Sequence, residues 1–363
     1  MNNRELNFVL AQFARYYSKA KIDVERIEQR EFGVGIEKKI DVRHLAFSDI
    51  NALRSYLISN TPLYISHSTA FYEHPDATPM QNKGWLGAEL VFDLDVHTEK
   101  KYDIASLEKV KENVITLVED FLLKDFGIDK NSVVVVFSGN RGYHVYVKDA
   151  AFFELGSDER REIANYVAGV GLNYKQFFNV EAITKNAVRI TGPKPTEHGW
   201  RGRFARAAIK VLNNNPKKIS PKFLKEEERI NFISGINNGN WSKTSVPDII
   251  EKMGVVAEEL NTNRIITDAA VTHDITKLIR MPNSIHGGSG LIAKPVKRID
   301  EFEPYRDALI ECEPFTVEFI EDVPSIEFAN STYGPFKKGE KKELIGALAL
   351  LFLLKESANV VFS

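Results

Sequence analysis

ELVFDLDVHTEK, residues 89–100, carries the pattern that decides the reading of this chain. Glu89 to Phe92 reads as a buried strand. It runs into Asp93 and Asp95, with only Leu94 between them. Side chains at i and i+2 of a strand share a face, so the two carboxylates converge while Leu94 packs on the other side. Like charges held together in a half-buried site are costly. Divalent cations resolve the conflict: Mg²⁺ and Mn²⁺ favour carboxylate oxygens, and a two-metal site stabilises both attacking and leaving oxygens of a displacement. The plainer alternative is a pair of solvated acids at a strand end. The apolar run leading straight into the pair argues against it.

The rest of the chain frames that strand. Its 363 residues suffice for one large domain or two ordinary ones. No apolar run approaches the ~20 residues that span a bilayer. The nearest, Leu344 to Leu354, is bracketed by charges and reads as a buried helix. MNNRELNFVLAQFARYY is an amphipathic helix without the apolar segment of a signal peptide. Cys312 is the only cysteine, which excludes an internal disulfide and any zinc site built on several thiolates. It also fits a reducing, cytoplasmic setting. Net charge is −2, so the molecule as a whole does not attract DNA. From Lys185 to Lys225, however, lysine and arginine dominate and Glu197 is the only acid. Such a stretch can neutralise phosphates or form a solvated basic face.

The pattern predicts strand-like structure over 31–47, a helix near 48–59 capped by Ser48, and a charged helix over about 104–125. NSVVVVFSGNRGYHVYVK, residues 131–148, reads as strand, turn, strand. Helical periodicity prevails over 196–260. The expected organisation is an α/β domain, residues 1–195 and 262–363, interrupted by a helical subdomain at 196–261.

Two further clusters suit phosphate. SGNRGYH, residues 138–144, is a glycine-punctuated turn whose amides, with Ser138, Arg141 and His144, can meet phosphate oxygens, although it also reads as an ordinary hairpin turn. DAAVTHDITKLIRMPNSIHGGSG, residues 268–290, places Asp268 on an expected strand, Asp274 as cap of a helix ITKLIRM, Arg280 near that helix's end and His286 beside glycines. Paired acids, a third acid and two phosphate-suited loops together describe nucleotidyl transfer.

These pieces, in this order, resemble the catalytic small subunit of archaeal and eukaryotic DNA primase. The resemblance rests on YYSKA, REFGVG, VRHLAF, AFYEHPDATPM, KGWLGAELVFDLD, LKDFGI, SGNRGYH, SDERREIANYV, the 268–290 segment and ALALLFLL. It implies catalytic metals, Mg²⁺ or Mn²⁺, on Asp93, Asp95 and Asp268. It implies contacts to the nucleotide's phosphates from Ser138, Arg141, His144 and His286, and further roles for Arg280 and Arg43. It implies an α/β prim-type catalytic domain with mixed sheets and an RRM-like core, plus a small inserted α-helical subdomain. It implies a single-stranded DNA template, NTPs or dNTPs as substrates, no membrane, a large iron–sulfur subunit as partner, and a place among the replication machinery at the nucleoid of an archaeal-type cell. One departure stands out. The Cys/His zinc knuckle common in the family has no residues here to build it, so zinc is not expected. Two rival readings are a primase-polymerase of repair or gap filling, and a haloacid-dehalogenase-type phosphatase. LVFDLD resembles the nucleophile strand of the latter, but Val96-His97 follows where Gly-Thr is usual.

Overall fold

The computed structural model describes every residue except 97, 99, 185, 186, 263, 266 and 363. The amphipathic start forms α1 (Asn3–Lys19). Asn2 and Glu5 cap it reciprocally, which satisfies amides that a helix N-terminus otherwise leaves unpaired. Val9, Phe13 and Tyr17 recur at helical spacing and are buried. β1 (Phe32–Gly35) and β2 (Val42–Leu45) follow as an antiparallel pair. α2 (Ile50–Asn60) is capped by Asp49 rather than Ser48, because the Asp49 carboxylate accepts from the amides of Asn51 and Ala52.

Four strands come next: β3 (Tyr64–Ser68), β4 (Ala70–Tyr72), β5 (Trp85–Ala88) and β6 (Leu90–Asp95). α3 (Ile104–Thr116) continues as a π-helical stretch, Leu117–Asp125. β7 (Val133–Phe137), β8 (Gly142–Val147) and α4 (Ser157–Ala168) lead to a hairpin of β9 (Asn179–Thr184) and β10 (Ala187–Thr191). Helices then dominate: α5 (Gly199–Asn214), α6 (Glu226–Asn237), α7 (Ile249–Lys252), α8 (Gly254–Thr262) and α9 (Ala269–His273). The remainder is β11 (Leu278–Arg280), β12 (Pro295–Val296), α10 (Pro304–Asp307), β13 (Phe315–Phe319), β14 (Ile326–Phe328), β15 (Ser331–Tyr333), β16 (Lys341–Leu344), α11 (Gly346–Leu354) and β17 (Ala358–Val360).

The fold is therefore α/β in composition. Its main sheets have strand orders β12-β7-β8-β6, β11-β3-β1-β2 and β16-β13-β17. The resemblance implies mixed sheets, but every strand pairing among the described residues is antiparallel. Short turns such as the one between β7 and β8 can only return the chain beside itself, whereas parallel neighbours need long crossovers.

The chain divides into two compact units. The first comprises Met1–Ile115, Ile128–Ala164 and Thr267–Ser363. One of its cores gathers Val9, Phe13 and Tyr17 of α1 with Phe32, Leu53, Ile65, Met281, Ile285 and Leu350. α11 is buried from Gly346 through Leu353 except for Ala347, as its uninterrupted apolar sequence requires. The second unit comprises Thr116–Gly127 and Asn165–Ile266. Phe204, Phe223, Phe232 and a fully buried Trp241 form its centre. No helix among the described residues is long and apolar enough to cross a membrane.

Candidate active site

β6 and β8 set the geometry. Their register pairs Asp93 with His144 and Asp95 with Gly142. Asp93 is half-buried and Asp95 exposed at the strand end. Asp268 joins them through its backbone, its amide donating to the Asp93 carbonyl at 2.9 Å. Asp268 is not on a strand as its sequence suggests. It caps α9, with its carboxylate accepting from the Ala270 amide at 3.0 Å. One oxygen of Asp95 likewise accepts from Val96 at 2.8 Å. Burial first, then the charges of Asp95 and Asp268, push Asp93 up to about 7. The three acids thus repel one another. Among the described residues, no three His, Cys, Asp or Glu side chains are drawn together at ligating distance.

The Ser138–Gly142 turn is closed on both sides. The Ser138 amide donates to the Gly142 carbonyl at 2.9 Å, and Ser138 Oγ accepts from the Gly142 amide at 3.2 Å. Gly139 has φ +86°, and a side chain there would meet the Cβ of His286 at 2.9 Å. Ser289 Oγ donates to the Gly139 carbonyl. These contacts tie the turn to the loop carrying His286. That loop is fixed in turn by α1, since the Tyr17 hydroxyl accepts from the Ile285 amide at 3.2 Å and the Tyr16 hydroxyl donates to the Asn283 carbonyl at 2.9 Å.

Arg280 departs from its expected setting. Asp274 follows α9 instead of opening a helix, and its carboxylate accepts from the amide and hydroxyl of Thr276. The β-branched and aliphatic run after it then pairs with β3, so Arg280 stands opposite Ser66 in a sheet. Its guanidinium lies 5.4 Å from the centre of the Tyr64 ring. Tyr64 also meets the His286 ring edge-on at 5.7 Å.

Three donors around this site are enclosed without a protein partner: Arg141 Nε, His144 Nδ1 and Arg280 Nη1. Enclosed polar atoms without partners are rare and call for an explanation. Both histidines are neutral. Burial, then Arg280 and Lys39, lowers His144 to about 3. Burial, then Arg280, Lys355, Lys39 and Arg141, holds His286 well below its usual value. His144 Nε2 stands 3.8 Å from Asp93 Oδ1, beyond hydrogen-bonding reach, and a neutral imidazole makes no ion pair there.

Arg43 is engaged elsewhere. Its guanidinium pairs with the fully buried Glu31 at 2.6 Å and donates to the Thr276 carbonyl at 3.0 Å. Part of the basic stretch is also committed internally. Arg203 pairs with Asp125 at 2.6 Å within the second unit, Arg201 pairs with Glu197, and Arg206 donates to the Pro195 carbonyl. Lys185 lies outside the described residues, as do His97 and Glu99 of the tail after the acids. Lys210, Lys217, Lys222 and Lys225 remain exposed. Two cations near the site carry no sequence signal: Lys39 on the loop between β1 and β2, and Lys355 at the end of α11.

Acids beside enclosed, unpaired donors, from the Ser138–Gly142 turn and from β8 and β11, suit phosphoryl and nucleotidyl chemistry. A family profile described as DNA primase small subunit matches residues 92–298. The DNA primase small subunit PriS of Methanoregula boonei is 35% identical over 329 residues, covering 85% of this chain and 87% of that one. PriS of Archaeoglobus fulgidus is 36% identical, covering 83% of each chain. PriS of Thermoplasma acidophilum is 32% identical, covering 82% of each. The class is that of the primer-synthesising nucleotidyltransferases. The chain belongs to the DNA primase small subunit family, as its catalytic polypeptide. Membership also decides one reading left open in the sequence: LVFDLD here is a primase strand, not that of a dehalogenase-type phosphatase.

Proposed function

We propose that primer synthesis takes place at the end of β6, with Asp93, Asp95 and Asp268 as the metal-binding acids. The observation that carries this reading is the raised Asp93, a carboxyl made reluctant to ionise by burial and by its two acidic neighbours. A donor set of carboxylate oxygens alone fits hard cations such as Mg²⁺ or Mn²⁺. When bound, such ions supply Lewis acidity to the 3′-hydroxyl and offset triphosphate charge. Arg141, His144 and Arg280 aim enclosed donors that a triphosphate's oxygens would satisfy. Neutral His144 and His286 donate hydrogen bonds there without adding charge. Ser138 and the amides of its turn orient the same group. Arg43, braced by Glu31, would act from the edge of the site.

The same reading takes residues 1–195 and 262–363 as a prim-type domain with an RRM-like core and residues 196–261 as an inserted helical subdomain. The exposed lysines of α5 and the segment after it support contact with single-stranded template through phosphates. NTPs or dNTPs are the substrates. A large iron–sulfur subunit is the partner, in line with the small-subunit name of the relatives. The setting is the cytoplasm, at the nucleoid.

The test is label incorporation on unprimed single-stranded DNA, with Mg²⁺ or Mn²⁺. Asp95→Asn should abolish synthesis while circular dichroism shows an intact fold. Near-wild-type synthesis by that variant would remove the metal assignment.

A further inference from the structure

Lys355 lies 215 positions from Asn140 of the Ser138–Gly142 turn in sequence, yet its ammonium is bonded to Asn140 Oδ1 at 2.7 Å. It ends a helix that is otherwise apolar and almost wholly buried. The helix's last turn is directed at the site. Leu350 and Leu354 occupy the space that a side chain on Gly290 would need, 3.0 Å and 3.3 Å from that position. α11 therefore supports the His286 loop with its leucines and the arginine-bearing turn with its lysine.

The lysine's surroundings do not account for its charge. It is half-buried, and its partner Asn140 is neutral. Among the described residues no carboxylate lies within ion-pairing distance of it. Arg141 acts on it as a like charge and Asp95 as an opposite one. Burial and Arg141 lower it to about 8, the sign of an ammonium held where charge is not fully compensated. Arg280, Lys355, Lys39 and Arg141 all press on the buried His286. Cations gathered in this way around a neutral pocket need an anion with several charges, as the acids opposite need cations.

We propose that Lys355 is a further substrate-binding residue, which grips the β- and γ-phosphates of the incoming nucleoside triphosphate from the floor of the Ser138–Gly142 turn. The proposal rests on the reading of this site as the triphosphate site. A flexible ammonium suits this task, since it meets phosphate oxygens as a point charge from whichever direction they approach. Its anchorage on Asn140 keeps it beside Arg141 before the nucleotide arrives.

The experiment uses the full chain and two readouts. Lys355→Gln removes the charge but retains an amide that can still donate to Asn140. Lys355→Arg retains the charge. In steady-state synthesis, Lys355→Gln should raise KM for ATP about tenfold with kcat within about twofold, and Lys355→Arg should stay near wild type. In equilibrium binding with Mg²⁺, Lys355→Gln should lose affinity for ATP by a similar factor but none for AMP. Equal loss for ATP and AMP would mean that Lys355 only shapes the turn, and would overturn the proposal. So would a Lys355→Arg variant, with the charge retained, that loses as much ATP affinity as Lys355→Gln. Binding is measured without turnover. A failure of the metal assignment, seen as active Asp95→Asn, is therefore distinct from a failure here.

Discussion

Replacing Asp93 with asparagine should destroy synthesis and yet stabilise the metal-free protein. Burial, Asp95 and Asp268 move this carboxyl from 3.8 to about 7. Each tenfold in that equilibrium corresponds to about 1.4 kcal/mol, so holding Asp93 ionised costs the fold on the order of 4 kcal/mol. Its side chain is 25% exposed, and water relieves part of that cost; about 2–4 kcal/mol is the expectation. The sign follows from proton linkage. The unfolded chain releases this proton near pH 4 and the folded chain near pH 7. Between those values the folded state holds a proton that the unfolded state has lost, so stability falls as pH rises through the window. The asparagine of the variant has no proton to lose. Thermal melts in EDTA from pH 4.5 to 8 should show a declining wild type, and Asp93→Asn should lack this group's share of the decline. At pH 8 the variant should melt roughly 5–10 °C higher. Mn²⁺ should raise the wild type at pH 8 and have little effect on the variant. A variant that melts at or below wild type at pH 8 without metal would refute the argument that these acids are mutually strained.

Two other perturbations probe the support of the site and of the second unit. Tyr17→Phe leaves the buried Ile285 amide without its acceptor; urea denaturation should show a loss of about 1–3 kcal/mol, and synthesis should weaken because Ile285 precedes His286. Arg203→Ala takes the cation from Asp125 and leaves its carboxylate only the Tyr166 hydroxyl and the Gly199 amide; a loss of about 2–4 kcal/mol should appear as early proteolysis within the second unit, with Arg203→Lys recovering only part of it.

How much of this could be read in advance depends on the distance over which each feature is determined. The Asp93 and Asp95 pair was legible because two-residue spacing on a strand is a local fact. The Ser138–Gly142 turn was legible because glycine and serine between two β-branched runs leave few alternatives. The segment from Asp268 to Arg280 folds differently from its sequence pattern. Its aliphatic spacing fits a helix as well as a short strand, and the choice was made by β3, which is distant in sequence and offers an open edge to Leu278, Ile279 and Arg280. Ser48 and Asp49 are both competent caps, and only the amides of Asn51 and Ala52 select between them. Lys39 and Lys355 gave no signal, because nothing in a lysine's immediate neighbours reveals which distant loop it will reach. The basic stretch looked uniform in sequence. Folding separates Arg203, which is spent on Asp125, from the lysines that stay in water.

The tie between α1 and the His286 loop has a consequence for how the chain reaches its active form. Tyr17 and Ile285 are 268 positions apart, and Lys355 and Asn140 are 215 apart. Contacts so distant in sequence require large loops to close before any energy is returned, and they form slowly. The hairpin of β7 and β8, by contrast, can form from neighbouring residues. During folding the Ser138–Gly142 turn and its two strands should thus form early, as an inert ribbon. Only when residues from both extremes of the sequence have docked does that ribbon become a place where a nucleotide can be held.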